Sequence, residues 1–316
     1  MTTRVLLTVD TELTWRHFAG GASWQENLAL SYDPAGVGVP HQLRLLARHG
    51  LKACFFVDPM PALIYGLEPV RQMVSPILEA GQEVQLHLHS FWVSLAEGDD
   101  SSLDFELTRF TPERQRELVR IARDLLIVAG AAAPIAFRSG SFAANEATLD
   151  AVAAADMRYD SSHNGSLQPW PSALPFPARM IAPARHRGVI EVPVTQIEQH
   201  AGALRHLQLC AVSSDEIEAA LLHASANRHP LVNIVSHSFE LATRDGLRRN
   251  PAMCTRFERL CGFLADRRDE LPTTRFDELD GIALGARAEP LPARPLRTLG
   301  RMAEQLWANS IYERAL

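Results

Sequence analysis

This sequence lacks closely spaced cysteines. Its four, Cys54, Cys210, Cys254 and Cys261, lie far apart along 316 residues and form no CxxC pair. Zinc knuckles and disulfide frameworks both need cysteines at short, regular spacings. We therefore expect neither in this chain.

Long apolar runs are also missing. The first residues, Met1-Thr2-Thr3-Arg4, carry one positive charge and precede only a short apolar segment. A signal peptide needs a longer apolar region, and a membrane-spanning helix needs about 18 or more consecutive apolar residues. The sequence therefore predicts a cytoplasmic protein with no membrane span.

The chain has no excess of positive charge and no glycine-rich turn after its first apolar run. Its net charge is −6 and its pI is near 6.1, which gives no general attraction to nucleic acid and favours a small or neutral substrate. The residues Val9-Asp10-Thr11-Glu12-Leu13 contain no glycine, which excludes the simplest dinucleotide-binding site.

Short apolar runs that are typical of strands alternate with amphipathic stretches that are typical of helices. This order predicts a parallel sheet covered by helices, and about seven such units are close to what a barrel needs. Residues 91–110 and 164–186 break the pattern and are predicted to be long loops at a functional rim. The predicted strands are 5–9, 52–57, 83–89, 135–138, 157–160, 189–194 and 231–236, and the predicted helices are 40–49, 68–80, 112–128, 145–155, 213–225 and 251–266.

The C-terminal segment differs from the rest in composition. We predict a barrel over residues 1–284, then a linker rich in proline and arginine and a helix over 285–316. One stripe of that helix is apolar and contains Leu299, Met302, Leu306, Trp307 and Ile311. Two interpretations stay open: the helix packs on its own barrel, or it forms a homo-oligomer.

Ionisable residues follow five of the predicted strands. In a barrel of parallel strands, the carboxyl ends of the strands meet at one rim, where active sites lie. These groups are therefore predicted to lie together. They are Asp10-Thr11-Glu12, His87-Leu88-His89-Ser90, Arg138-Ser139-Gly140-Ser141, Asp160-Ser161-Ser162-His163-Asn164 and Ser236-His237-Ser238-Phe239-Glu240.

A carboxylate and two imidazoles form a common ligand set for a catalytic divalent metal. Because strand side chains alternate, His87 and His89 are expected to point to one face. A bound metal lowers the pKa of its water and polarises a carbonyl, and a nearby carboxylate accepts the proton. An arginine beside that carboxylate would hold it ionised, and a histidine from the opposite side would protonate a leaving amine.

The sequence resembles the polysaccharide deacetylases, the NodB-homology or carbohydrate esterase 4-like family, as a divergent member. The resemblance covers roughly residues 4–240 and implies a distorted (β/α)7 barrel that binds one divalent metal ion. The segments that resemble the family's motifs are residues 48–57 (RHGLKACFFV), 81–87 (GQEVQLH), 137–142 (FRSGSF) and 235–238 (VSHS).

The resemblance implies roles for particular residues. Asp10 would be the catalytic base, paired with Arg138, and His237 the general acid. Asp160 would orient His237, and Ile234 would line the acetyl pocket.

Two positions depart from the family's pattern. The family's first motif has adjacent aspartates, whereas Thr11 follows Asp10 here, and we expect Glu12 to supply the carboxylate ligand. His87 corresponds to the first metal histidine. The second usually comes four residues later, where this chain has Phe91, and His89 is the predicted substitute.

The function that the resemblance implies is removal of an N-acetyl or similar acyl group from an amino sugar or glycoconjugate precursor. The metal is expected to be zinc, with cobalt, nickel and iron as alternatives. Two other functions stay open: metal-independent hydrolysis of another small C–N bond, as in cyclic ureides, and carbohydrate binding without catalysis. The predicted substrate contacts are Trp15, Trp92, Ser139, Gly140 and Phe142, together with Ile234.

Overall fold

A curled sheet of mainly parallel strands forms the centre of the fold in the computed structural model. The structure describes residues 2–98, 103–200 and 202–312, with side chains to residue 304. The strands are β1 Arg4–Thr11, β2 Cys54–Val57, β3 Glu83–Leu88, β4 Ala136–Ser139, β5 Tyr159–Asp160, β6 Ala184–His186, β7 Val189–Glu191, β8 Gln196–His200, β9 Ala203–His206, β10 Leu231–His237 and β11 Thr273–Thr274.

The helices lie between these strands and cover the outer face of the sheet. They are α1 Trp15–Ala19, α2 Trp24–Ser31, α3 Val39–His49, α4 Ala62–Tyr65, α5 Glu68–Glu79, α6 Phe91–Ala96, α7 Pro112–Val128, α8 Glu146–Ala154, α9 Ser214–Ala226, α10 Pro251–Asp266 and α11 Pro295–Tyr312.

The strands of the central sheet are mainly parallel, and the sheet curls until its two sides meet. Within the described residues, seven strands run parallel in the order β10-β1-β2-β3-β4-β5-β7; β6 lies antiparallel at the edge, and β11 pairs with β1. The two sides of the curl meet where Thr195 N donates to Asn233 O at 3.1 Å and Leu209 N donates to Val235 O at 2.8 Å. The predicted distorted (β/α)7 barrel is confirmed.

Side chains alternate between two faces along each strand. On β1, Leu7 and Val9 join the large apolar layer between the sheet and the helices, whereas Leu6 joins a smaller cluster inside the barrel with Phe56 and Phe276. Burying each such side chain contributes about 1.5–3 kcal/mol to the free energy of folding. Apolar residues therefore fill the lower interior of the barrel, and the inward positions nearer the carboxyl ends carry polar groups.

Local signals place the main helices close to where the sequence predicts them. Thr111 caps α7 by accepting a hydrogen bond from Arg114 N at 3.3 Å. Gly50, with φ +63°, ends α3 in the left-handed conformation that glycine adopts readily.

The prediction of a long loop over residues 91–110 is wrong for residues 91–96. Helix α6 begins at Phe91, and the side chains of Phe91, Trp92 and Val93 are buried. Phe91 and Trp92 pack against neighbouring aromatic rings, and this burial stabilises a helix of only six residues. Residues 99–102 of this stretch lie outside the described residues.

The C-terminal helix α11 contacts the barrel through polar side chains. Thr298 Oγ1 donates to Gln199 O at 2.9 Å, Arg301 pairs with Glu216 at 3.2 Å, and Glu304 pairs with Arg256. Leu296, Leu299 and Met302 are exposed, and the side chains of Leu306, Trp307 and Ile311 lie outside the described part. The homo-oligomer and the domain boundary at residue 284 stay predictions.

No helix within the described residues has the length and apolar character needed to cross a membrane.

Candidate metal centre and active site

Two pairs of polar residues share one face of the barrel because each pair is spaced by two along the chain. Asp10 lies in β1 and Glu12 follows that strand by one residue, while His87 lies in β3 and His89 follows that strand by one residue. Asp10, Glu12 and His87 are buried, and His89 is partly buried.

The side chains of Glu12, His87 and His89 converge on a common point. His87 Nε2 lies 3.3 Å from Glu12 Oε2 and 3.2 Å from His89 Nε2, and His89 Nε2 contacts the same Glu12 oxygen. One ligand atom from each residue lies within 4.8 Å of the other two. The structure thus brings together the three residues that the sequence predicts as metal ligands.

Neighbouring backbone fixes how these two histidines are oriented. His87 Nδ1 lies 2.8 Å from Arg138 O, and because a carbonyl only accepts, Nδ1 carries a proton and Nε2 is the ring nitrogen that faces Glu12. Gly140 lies against the ring of His89: a Cβ there would be 2.6 Å from His89 Nδ1. Gly140 was predicted as a substrate contact. In the structure, its lack of a side chain makes room for the ring of His89.

The charges at the cluster stabilise one another. Burial acts to raise the pKa of Glu12, but the adjacent His89 and His87 lower it well below its usual range. Burial acts to lower the pKa of His89, but the Glu12 carboxylate raises it to about 9. Without a cation, this carboxylate and imidazole form an ion pair at neutral pH.

Asp10 lies beside the cluster and forms a buried ion pair. Arg138 Nη1 donates to Asp10 Oδ1 at 2.6 Å, and both side chains are almost fully buried. The guanidinium also donates to Ser161 O and Ser161 Oγ and lies 4.3 Å from the centroid of the Phe56 ring. Arg138 is therefore held in one position and fixes the carboxylate of Asp10.

His237 faces the same space from β10. Its Nε2 lies 3.9 Å from Asp10 Oδ2, and its Nδ1 lies 2.8 Å from Glu240 Oε1. Burial acts to lower the pKa of His237, but the Glu240 carboxylate raises it to about 9. Gln208 Nε2 donates to the same Glu240 oxygen, which holds that carboxylate toward the imidazole.

The carboxylate that contacts His237 is Glu240, and not Asp160 as the resemblance implied. Asp160 is buried on β5, where it accepts hydrogen bonds from Ser162 N and Ser162 Oγ at 3.1 and 2.8 Å. Its neighbour across the sheet is Glu191 on β7. Burial, with the charge of Asp160, raises the pKa of Glu191 well above its usual range. Asp160 thus belongs to a buried pair of carboxyl groups inside the sheet.

Ile234 does not lie on the face predicted for it. It is three residues from His237, so it points to the opposite side of β10, where it packs in the outer apolar layer beside Leu46 and Phe257. The inward neighbour on that strand is Val235, which packs with Phe142.

The other predicted substrate contacts have mainly structural contacts. Trp92 is fully buried, with Phe18 and Tyr65 against its ring. Ser139 is buried, and its hydroxyl donates to Ala143 O at 2.6 Å. Trp15 is half-buried and packs against Phe18, Phe91 and Phe105, while Phe142 is 8% exposed in a left-handed turn with φ +57°.

Two residues at the rim were not assigned a role from the sequence. Glu240 is within the segment that follows the last predicted strand. Its contact with His237 depends on the turn after β10, which brings its carboxylate to the imidazole. Asp58 comes directly after β2, and the strand-end rule that selected the other groups applies to it as well. Burial raises the pKa of Asp58 to about 6, although His89 and His87 act in the opposite direction.

No family model matches this sequence, and no curated protein matches it. Its structure matches 47 solved chains. A Mycobacterium smegmatis protein assigned as a polysaccharide deacetylase is 16% identical over 96% of this chain and 92% of that one, with a TM-score of 0.53.

Two other solved structures are also matched. A family 4 carbohydrate esterase from Streptomyces lividans, in complex with acetate, is 14% identical over 92% of this chain and 98% of that one, with a TM-score of 0.46. The 4-alpha-glucanotransferase of Thermococcus litoralis is 9% identical over 88% of this chain and 40% of that one, with a TM-score of 0.50. At such identities, likeness shows the fold alone. This chain therefore has a barrel fold like that of a protein assigned as a polysaccharide deacetylase, and its activity has to be inferred from the residues at its rim.

Proposed function

We propose that this protein is a metal-dependent hydrolase that removes an N-acetyl or similar acyl group from an amino sugar or a glycoconjugate precursor. The observation that carries the proposal is the convergence of Glu12, His87 and His89. An ion pair suited to a general base and a histidine suited to a general acid lie on the same rim. Metal-dependent hydrolysis of an amide uses these three functions together.

The three converging residues suit a divalent cation. Glu12 directs an oxygen, and His87 and His89 each direct Nε2, at one common point, and all three atom types can offer an electron pair. A cation would accept electron pairs from all three atoms at once. Two imidazoles and one carboxylate, with further positions open, are typical of catalytic zinc, although cobalt, nickel and iron accept the same ligands. We propose zinc.

When bound, such a cation would lower the pKa of a water molecule and polarise the amide carbonyl. Asp10 accepts the proton that the water loses as its oxygen bonds to the carbonyl carbon. Arg138 holds Asp10 by its 2.6 Å contact and balances its charge, so this carboxylate can act as base without moving.

His237 supplies the second proton transfer. With its pKa raised to about 9, it is protonated at neutral pH, and Nε2 can donate to the amine nitrogen as the C–N bond breaks. Glu240 holds the other ring nitrogen, which orients the donor toward the space beside Asp10. The products are a carboxylate and a free amine.

N-acetylated amino sugars serve as the acyl donors that test the reaction. Released acetate is measured for chelator-treated protein, with and without added zinc or cobalt. We expect release only with metal. Asp10→Asn should abolish this release, and Asp33→Asn, a change at an exposed residue, should not affect it.

Two outcomes would contradict the proposal. Turnover that persists after chelation, or cleavage of a cyclic ureide without metal, would identify a metal-independent hydrolase. Metal-free binding of the same sugars without turnover would identify a carbohydrate-binding barrel.

A further inference from the structure

Asp58 lies beside two of the three residues of the candidate metal centre. In the sheet register, Val57 pairs with Thr11 on one side and with Leu86 on the other. The next position on each strand brings Asp58 between Glu12 and His87. Phe56 packs inside the barrel, so strand alternation directs Asp58 inward as well.

Among the described residues, hydrogen bonds reach one of the two carboxylate oxygens of Asp58 and not the other. Oδ1 accepts from Met60 N at 3.0 Å, while Asp58 N donates to Thr11 O at 3.0 Å and fixes the backbone. Oδ2 is buried and has no hydrogen-bond donor among the described residues. No arginine, lysine or histidine among the residues that the structure describes lies within 4.0 Å, the ion-pair distance, of the Asp58 carboxylate.

A fully buried carboxylate oxygen without a donor is unfavourable unless a positive charge or a water compensates it. Asp10 has Arg138 for this purpose, and Glu240 has His237. His89 and His87 act on Asp58 from beyond ion-pair distance, and a cation held by these same two histidines would be the charge that compensates Asp58 when the centre is occupied.

We propose that Asp58 is an additional carboxylate of the metal centre, and that its charge strengthens cation binding from beyond the three ligand atoms. The inference rests on the metal centre of the proposed function. Glu12 supplies one negative charge, and Asp58 supplies a second beside it. Such outer groups typically change metal affinity by about 10- to 100-fold.

Asp58→Asn separates the charge from the local hydrogen bond. Its side-chain oxygen can still accept from Met60 N, and its size is nearly unchanged, so the variant removes the negative charge and keeps the local hydrogen bond. Asp245→Asn is the matched control, because Asp245 makes the same type of bond to Leu247 N, at 3.0 Å. Zinc affinity is measured for the whole protein by competition with a chromophoric chelator, and thermal unfolding is followed without metal.

We expect Asp58→Asn to bind zinc about 10- to 100-fold more weakly, without a lower unfolding midpoint in the metal-free protein. The control should match the wild type in both. If the Asn variant does not fold, Asp58→Ser replaces it, because a serine hydroxyl can also accept from Met60 N. Its zinc affinity is measured in the same way, and we expect the same weakening.

Equal zinc affinity in the wild type and a folded Asp58 variant would overturn this inference and leave the metal centre intact. A wild type that binds no zinc would instead overturn the proposed function on which the inference rests.

Discussion

Substitution of Gly140 by alanine tests whether the ring of His89 must lie where the structure places it. The added Cβ would lie 2.6 Å from Nδ1 and 2.8 Å from Cε1 and Cγ of that ring. Favourable contacts between such atoms begin near ~3.5 Å, so the ring has to move by roughly 1 Å. The imidazole is at a strand end and can move, and such a shift takes Nε2 out of the position where it meets Glu12 and His87.

This displacement is large for a metal ligand, because ligand distances are kept within roughly 0.2 Å. We expect Gly140→Ala to bind zinc about 10- to 100-fold more weakly, which corresponds to about 1.4–2.7 kcal/mol. Unfolding of the metal-free protein should change far less, since the ring can relax at the rim.

The assay is a zinc titration by chelator competition, with Gly262→Ala as the control. Gly262 is in α10, and a Cβ there has no neighbour within 4 Å, so this alanine should leave zinc affinity unchanged. If Gly140→Ala binds zinc within twofold of the wild type, His89 does not need its present position, and its assignment as a ligand is wrong.

The remaining predictions concern the acid, the base and the carboxylate ligand. Asp10→Asn should lower turnover by about 10²- to 10⁴-fold, because it removes the base. Elemental analysis should still find the metal, because the ligands remain. Loss of the metal would contradict the assignment of Asp10 as base. Glu12→Ala should lose the metal, and full occupancy in that variant would show that another group is the carboxylate ligand. Because the pKa of His237 is about 9, the rate should fall as pH rises through that value and the acid form disappears. Glu240→Gln should lower that pKa toward 6.5 and move the alkaline limb of kcat/KM to lower pH, and an unmoved limb would exclude Glu240 as its partner.

The ion pair between His237 and Glu240 also makes the free energy of unfolding depend on pH. The pKa of His237 is raised in the folded protein, so its contribution to the free energy of unfolding is complete below about pH 6.5 and is lost as pH rises through about 9.

Strand alternation made much of the site predictable from the sequence. It places Asp10 with Glu12 and His87 with His89, and the structure brings Glu12, His87 and His89 together. The same rule shows why Ile234 was assigned wrongly. An odd separation from His237 puts it on the other face of β10.

Features that depend on loops and on distant neighbours could not be predicted in this way. Glu240 reaches His237 because Ser238 N donates to Asp10 O and Glu240 N donates to His237 O, which turns the chain back after β10. Gly140 is needed because of a ring from another strand, about fifty residues away in sequence. Neither relation is visible in the local pattern of residues.

The central claim is a two-histidine, one-carboxylate metal centre, and elemental analysis of the purified protein without a histidine tag tests it most directly. Wild type, Glu12→Ala, His87→Ala and His89→Ala are compared, with the exposed His200→Ala as control. We predict about one equivalent of divalent metal in the wild type and the control, and its loss in the other three. A wild type without metal after reconstitution, or full occupancy in both His87→Ala and His89→Ala, would contradict the account.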